Sequence, residues 1–186
     1  MPEEQPEFTH VFELAKSGRA KCRGCGKNIA KDVLRFGESY ENPYGDGAAT
    51  LWFHPLCAAH KRPEPYLVAL DYDDCPLDDA TKTQHRQIAE FGIAHRRLPR
   101  LDGASLAPTA RARCRSCKEM IPKESWRLSL VFFAEARFEP SGYIHAKCAS
   151  EYFETADILD RACHFSELSD EEKKSLSEAL QETQSS

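Results

Sequence analysis

The chain has 186 residues, a formal net charge of −5 and eight cysteines. Its length allows one domain or two small ones, and no apolar run approaches the roughly 20 residues that span a bilayer, so we expect no membrane partner. The acidic N-terminal segment has no hydrophobic signal core, so we expect an intracellular protein, located in the cytoplasm or nucleoid of a bacterium or in the nucleus of a eukaryote.

The first predicted elements are a strand and a metal-binding turn. Apolar side chains alternate from Phe8 to Leu14, and this period of two predicts a strand. Cys22 and Cys25 then form a C-x2-C pair, and Gly26 beside them can adopt the backbone angles that such a turn needs. This part of the chain is therefore predicted to supply two thiolate ligands from one tight turn.

A second strand, a loop and another pair of ligands follow. Val33 and Leu34 are strand formers, whereas residues 40–50 contain proline and glycine and are predicted to form a loop. His54 and Cys57 form an H-x2-C pair that is predicted to open a helical turn, so that both side chains face the metal from one side.

The same succession recurs 91 or 92 positions later, which indicates a tandem repeat. The gap between the two ligand pairs holds 28 residues in the first copy and 27 in the second. The second copy comprises a weaker strand candidate, a C-x2-C pair, a segment rich in strand formers and an H-x2-C pair: Leu101–Leu106, Cys114 and Cys117, Trp126–Phe133, and His145 and Cys148.

Each copy is predicted to end in a helix. A capping box at Ser169–Glu172 begins the second of these helices, and Asp78 or Asp79 caps the first. Residues 95–110 contain two prolines and a glycine, so we place the linker and the start of the second module there. The predicted domains are a first module over residues 1–94 and a second module over residues 111–186.

Each copy offers three cysteine thiolates and one histidine imidazole, which together form a complete tetrahedral shell for Zn²⁺. A closed shell leaves no position for substrate, so both zinc ions are predicted to be structural and no catalytic residue is expected. The predicted fold class is a small α+β zinc-binding module in two tandem copies, each a short antiparallel sheet with helices around its zinc site. A disulfide framework is the alternative use of these cysteines, and the expected reducing compartment disfavours it.

The basic residues are concentrated near the two C-x2-C pairs. Residues 16–35 contain seven lysines and arginines against one acidic residue, and residues 96–127 contain nine against three. Local basic patches matter more for phosphate binding than the net charge does. Charge alone leaves open whether these are phosphate-binding faces or ordinary solvated faces.

The sequences around the ligands carry a family resemblance. Residues 15–37 (AKSGRAKCRGCGKNIAKDVLRFG), with WFHPLC at 52–57, closely resemble the N-terminal zinc fingers of poly(ADP-ribose) polymerase. One nuclear DNA ligase carries a similar finger. Residues 111–129, with YIHAKC at 143–148, look like the same finger. The long gap before H-x2-C is unusual for short-loop nucleic-acid fingers and makes the resemblance specific.

The resemblance implies a module that recognises breaks in DNA rather than base sequence. In the family, basic residues before the first cysteine and the arginine of the K-D-x-L-R motif grip backbone phosphates. The matching residues are Lys16, Arg19 and Arg35 in the first copy and Arg111 and Arg127 in the second.

Apolar residues in the family also cover a base pair that is exposed at the break. The first copy departs from this pattern, since Gly45 and Ala49 offer little stacking surface and only the adjacent Tyr44 could substitute. In the second copy the loop before the histidine offers Phe132 and Phe133, together with Phe138. The alternative for each of these aromatic side chains is a place in the core.

Three functions compete. The leading one is a monomeric, non-catalytic protein that binds broken DNA, with a DNA-repair enzyme as a further partner. The second is a zinc-stabilised adaptor that recruits or regulates a repair enzyme, which the negative net charge suits. The third is an enzyme, which the closed metal shells disfavour, since Cys75 and Cys163 are the only cysteines outside them. Binding to RNA is left open.

Overall fold

The computed structural model of the chain describes residues 9–42, 45 and 47–182. The chain divides into two compact units, Met1–Ile93 and Ala94–Ser186, and each contains one three-stranded antiparallel sheet. The predicted fold class, two small α+β modules, is confirmed. None of the helices among the described residues is both long enough and apolar enough to cross a membrane.

The sheet of the first unit follows chain order. Strands β1 (Val11–Leu14), β2 (Leu34–Glu41) and β3 (Ala48–Phe53) pair in the order β1-β2-β3. The predicted loop over residues 40–50 is too long, because Tyr40 pairs with Ala49 and the ladder extends to the ends of both strands. Phe8, where the first strand was expected to begin, lies outside the described residues.

Three helices follow this sheet, and the first two of them pack against it. They are α1 (Pro55–Lys61), α2 (Pro63–Leu70) and α3 (Asp79–Ala94). The core between sheet and helices contains Phe36, Phe53 and Tyr66, none of which has any exposed surface. The Tyr66 hydroxyl is hydrogen-bonded to His85 Nδ1 at 2.6 Å, which joins α2 to α3 inside the core.

Asp78 caps α3. Its Oδ1 accepts the Thr81 backbone N–H at 2.9 Å, so of the two predicted candidates the residue just before the helix has this role.

The sheet of the second unit contains a longer hairpin. Strands β4 (Leu101–Leu106), β5 (Trp126–Ala134) and β6 (Arg137–His145) pair in the order β4-β5-β6. The turn between β5 and β6 consists of Glu135 and Ala136, both at positive φ, as a tight hairpin turn requires. Phe132 and Phe133 lie on β5, in agreement with the strand-forming run Trp126–Phe133 and not with the loop that was also expected there. Phe138, expected in the same loop, lies on β6 because the ladder continues to the turn.

Three helices complete the second unit. They are α4 (Ala149–Phe153), α5 (Leu159–His164) and α6 (Asp170–Gln181). The predicted capping box begins α6: the Glu172 N–H donates to Ser169 Oγ at 3.2 Å, and the Ser169 N–H donates to Glu172 Oε2 at 2.8 Å. Leu176 on this helix is completely buried, so the cap fixes a helix that contributes to the core.

Candidate metal centres and basic faces

A tight turn presents the first two ligands of the first centre. The Cys22 N–H donates to the Lys27 carbonyl at 2.8 Å, and the Gly26 N–H donates to the Cys22 carbonyl at the same distance. Gly26 has a φ of 72°, which confirms that this position needs a residue tolerant of left-handed backbone. The turn therefore holds Cys22 and Cys25 with both thiols on its inner side.

The other two ligands come from the junction of β3 and α1. His54 precedes α1 and Cys57 lies in its first turn, as the H-x2-C spacing predicted. His54 Nδ1 lies 3.4 Å from Cys25 Sγ and 3.9 Å from Cys57 Sγ, and the His54 N–H points to Cys22 Sγ at 3.3 Å. All four ligand atoms lie within 4.8 Å of one another.

The second centre repeats this turn with different side chains. The Cys114 N–H donates to the Glu119 carbonyl at 2.8 Å, and the Lys118 N–H donates to the Cys114 carbonyl at 3.0 Å. Lys118 occupies the position of Gly26 and has a φ of 68°. The same backbone is therefore formed without a glycine.

The histidine of the second centre is fixed on both ring nitrogens. His145 Nδ1 lies 3.4 Å from Cys117 Sγ and 3.7 Å from Cys148 Sγ, and all four ligand atoms again lie within 4.8 Å. His145 Nε2 lies 3.1 Å from the carbonyl oxygen of Met120, a distance suited to donation by its N–H. A second hydrogen bond of this kind orients the ring and fixes which nitrogen faces the metal.

Both groups fit zinc. With Zn–S near 2.3 Å and Zn–N near 2.0–2.1 Å, the edge between sulfur and nitrogen of a tetrahedron is about 3.6 Å, close to the observed 3.4 to 3.9 Å. Three thiolates with one imidazole complete a structural shell. The two centres therefore hold structural zinc ions.

The thiols also show why a cation is needed. Burial is the largest cause that raises the pKa of Cys148 to about 12, and the charge of Cys114 acts in the same direction. In the first centre, hydrogen bonds from the Cys22 and Cys57 thiols hold the pKa of Cys25 far below its usual value, while the pKa of Cys57 is raised. Three thiolates so close together repel one another, and a divalent ion removes this repulsion.

The remaining two cysteines lie apart from these groups. Among the residues that the structure describes, the two Cys3His sets are the groups of three or more metal-binding side chains. Cys75 is buried and Cys163 is half-buried, as expected for side chains with a packing role.

The two predicted motif arginines each lie over an aromatic ring. The Arg35 guanidinium is 3.5 Å from the centroid of Trp52, and the Arg127 guanidinium is 3.8 Å from that of Tyr143. Arg127 pairs across the β5–β6 ladder with His145, a zinc ligand. Each arginine is thus held beside a metal centre on a stacking platform that sequence reasoning missed.

The other predicted phosphate contacts are accessible. Lys16, Arg19 and Arg111 are exposed, which a contact with a large polyanion requires. Arg35 is different, because only 8% of its surface is exposed. Tyr44, the predicted stacking residue of the first unit, lies outside the described residues.

The predicted stacking residues of the second unit differ in exposure. Phe132 is 43% exposed, so it has free apolar surface near the hairpin turn. Phe133 is half-buried and its ring packs on Phe138 with centroids 5.0 Å apart. Phe132 is therefore the better placed of the two to meet a base.

A basic recess lies beside Tyr143 in the second unit. It has a volume of about 400 Å³, and its lining includes Arg113, Arg115, Lys118 and Gly142. Backbone carbonyls orient all three of its cations: Arg113 Nη1 donates to Lys118 O at 2.8 Å, Arg115 Nε donates to Ser141 O at 3.0 Å, and Lys118 Nζ donates to Arg115 O at 2.5 Å. From the sequence, these three residues could be recognised only as members of a basic segment, because the fold decides whether their side chains converge.

Gly142 allows Arg115 to lie across the strand. Its φ is 98°, and a Cβ at this position would lie 2.9 Å from Arg115 Nε. Glycine is therefore required at this position for two reasons: it tolerates the positive φ, and it leaves room for the Arg115 guanidinium.

A family model described as the poly(ADP-ribose) polymerase and DNA-ligase Zn-finger region matches residues 13–74. The chain is 30% identical over 152 residues to poly(ADP-ribose) polymerase 1 of Oryza sativa subsp. japonica, which covers 78% of this chain and 15% of that protein. It is 28% identical over 162 residues to poly(ADP-ribose) polymerase of Drosophila melanogaster, covering 78% of this chain and 16% of that protein. For poly(ADP-ribose) polymerase 1 of Gallus gallus the identity is 31% over 130 residues, covering 63% and 13%. The chain thus spans only about one-seventh of the length of these relatives.

Proposed function

Because the chain carries tandem zinc fingers of the poly(ADP-ribose) polymerase type, we propose that it binds DNA at strand breaks without reading base sequence. The strand breaks included in this proposal are nicks, gaps and ends. The observation that carries the proposal is the repeated arrangement of an arginine on an aromatic ring beside each zinc centre. The zinc has no open position for chemistry, so its role is to fix the strands that present the cation.

Phosphate contacts supply the affinity. Lys16, Arg19 and Arg111 are exposed, and Arg127 with the basic recess provides further positive charge in the second unit. Contacts of this kind do not discriminate between base sequences. They weaken as the salt concentration rises, because binding releases counterions from the DNA and that release is less favourable when the solution already contains more salt.

Base stacking supplies the preference for a break. An intact duplex hides the faces of its base pairs, whereas a nick or an end leaves one pair accessible. The exposed ring of Phe132 is the candidate platform, with Phe133 as its half-buried neighbour, and Tyr44 is the candidate in the first unit. Stacking of a base on an aromatic ring contributes about 1–3 kcal/mol and tolerates any base.

Two binding units on one chain add a further gain. Once one unit is bound, the other acts at a raised effective concentration wherever the linker allows both to engage. We propose that the chain acts as a monomer and that any catalytic step belongs to a repair enzyme that it assists. The eukaryotic relatives favour the nucleus as the site of action.

The test compares one duplex in closed, nicked, gapped and blunt-ended forms in binding titrations with the full chain. We expect tighter binding to the interrupted forms, independent of base sequence and lost with a chelator. The double substitution Arg35→Gln and Arg127→Gln should abolish most of the binding while two zinc ions per chain are retained. The matched control is Arg86→Gln, which removes a partly exposed arginine on α3 that pairs with Asp71.

Equal affinity for closed and nicked duplex would refute break recognition. Unchanged affinity of the double variant would favour the adaptor function instead, since phosphate binding by these arginines would then contribute nothing.

A further inference from the structure

The two motif arginines have different partners at the same position of the sheet. In the first unit, Arg35 on β2 is paired across the ladder with Glu13 on β1. In the second unit, Arg127 on β5 is paired in the same way with Ser105 on β4. The repeat therefore places a carboxylate beside one arginine and a hydroxyl beside the other.

The carboxylate in the first unit is engaged directly. Arg35 Nη2 donates to Glu13 Oε1 in an ion pair, and the side chains are 10% and 28% exposed. One face of the guanidinium lies on the Trp52 ring. Arg35 Nε is buried and has no hydrogen-bond partner among the described residues. An external anion can therefore reach little of the Arg35 guanidinium unless the Glu13 carboxylate moves away from it.

The second unit has no such pair. Arg127 lies over Tyr143, and its Nε donates to Ser105 Oγ at 3.3 Å, so its hydrogen-bond partner there is a neutral hydroxyl. No carboxylate within the described ranges forms an ion pair with Arg127. A phosphate that approaches Arg127 therefore meets a full cation, whereas one that approaches Arg35 meets a neutralised pair.

We propose that Glu13 competes with the DNA phosphate for Arg35, so that the first unit has the weaker phosphate grip and the second unit is the primary anchor. The proposal rests on the proposed function, because it assigns the strength of that same DNA contact. Glu13 lies on β1, which is an edge strand, and its exposed fraction places negative charge where a phosphate must approach. Its presence makes the affinity of the first unit depend on displacing an internal anion.

The experiment exchanges the two partners in the full chain. Glu13→Gln keeps the size of the side chain and a hydrogen bond to Arg35 while removing the charge, and Ser105→Glu introduces the carboxylate into the second unit. The neutral control for the latter is Ser105→Gln. Glu64→Gln is the matched charge control for the former, because Glu64 is an exposed acidic residue on α2 of the same unit. Binding of nicked duplex is titrated over a range of salt concentrations.

We expect Glu13→Gln to tighten binding by about fourfold at low salt, the effect of one charge about 5 Å from a phosphate in the dielectric of bulk water. The slope of log K against log salt should become steeper by about 0.9, since Arg35 then neutralises one more phosphate. The gain should be easiest to measure in the Arg127→Gln background, where the first unit carries the contact. Ser105→Glu should weaken binding by a similar factor, whereas Ser105→Gln should not weaken it. Glu64→Gln should not tighten binding as Glu13→Gln does.

The results separate this inference from the proposed function. If the unmodified chain does not distinguish nicked from closed duplex, the proposed function is wrong. If the unmodified chain binds nicked DNA and Glu13→Gln leaves its affinity unchanged or weakens it, while zinc content and thermal unfolding are retained, Glu13 positions Arg35 and does not compete, and the inference is overturned.

Discussion

At the scale of single residues, the second unit concentrates cations around one tyrosine. Tyr143 carries the guanidinium of Arg127 on its ring and also lines the recess that contains Arg113, Arg115 and Lys118. Hydrogen bonds to backbone carbonyls fix the direction of these side chains, so less rotamer entropy is lost when an anion binds. A backbone phosphate is the expected occupant.

The double substitution Arg115→Gln and Lys118→Gln tests this recess. We expect weaker binding to every duplex form alike, together with a salt slope that is shallower by about one unit for each phosphate that the recess no longer neutralises. Titration of nicked and closed duplex at several salt concentrations measures both quantities. Lys173→Gln on α6 is the control, since this exposed lysine pairs with Asp170 and lies outside the recess. An unchanged slope in the double variant would show that the recess faces away from the DNA.

At the scale of elements, the β5–β6 hairpin carries the proposed stacking surface of the second unit. Its turn is formed by two residues at positive φ without glycine, Glu135 and Ala136. The cross-strand pair of Phe133 and Phe138 packs near this turn and stiffens it. Phe132 is thereby presented on a rigid support, which reduces the entropy cost of stacking.

Phe132→Ser should therefore reduce the preference for nicked over closed duplex by about fivefold or more, because stacking on an aromatic ring contributes about 1–3 kcal/mol. Affinity for closed duplex should change little. The measurement is the ratio of the two dissociation constants. Val68→Ser removes an exposed apolar side chain from α2 and serves as the control. A preserved ratio in Phe132→Ser would exclude this ring as the stacking platform.

At the scale of the whole molecule, the chain consists of two units that each contain a complete metal centre. Units of about 90 residues bury a limited core, so bound zinc contributes much of their stability; in finger peptides the metal supplies of order 10–16 kcal/mol. No ligand is shared between the centres, and each should therefore load and unfold separately.

Cys117→Ser is expected to remove one ion only. Elemental analysis should fall from two zinc ions per chain to one, and limited proteolysis should cleave within residues 94–186 while the first unit stays protected. Cys163→Ser, a change at a half-buried cysteine outside both centres, should leave both ions bound. Loss of both ions from Cys117→Ser would show that the two units fold as one.

Much of this arrangement could be predicted from local patterns. The ligand spacing, the Gly26 turn and the Ser169 cap depend on residues close in sequence, and each is present as expected. The aromatic partners of Arg35 and Arg127 depend on strand register, which the sequence does not specify by itself. For the same reason the hairpin phenylalanines were placed in a loop, and the ion pair with Glu13 was not foreseen.

The turn at Lys118 has a consequence for how the two metal centres compare. Gly26 reaches the left-handed conformation without steric cost, whereas a side chain bearing a Cβ loses about 1–2 kcal/mol there. The second centre bears this steric cost, and its Lys118 adds an ammonium group to the lining of the recess, where Nζ donates to the Arg115 carbonyl oxygen at 2.5 Å. The turn at Gly26 is thus free of steric strain but adds no charge, whereas the turn at Lys118 is strained and adds a cation beside its metal centre.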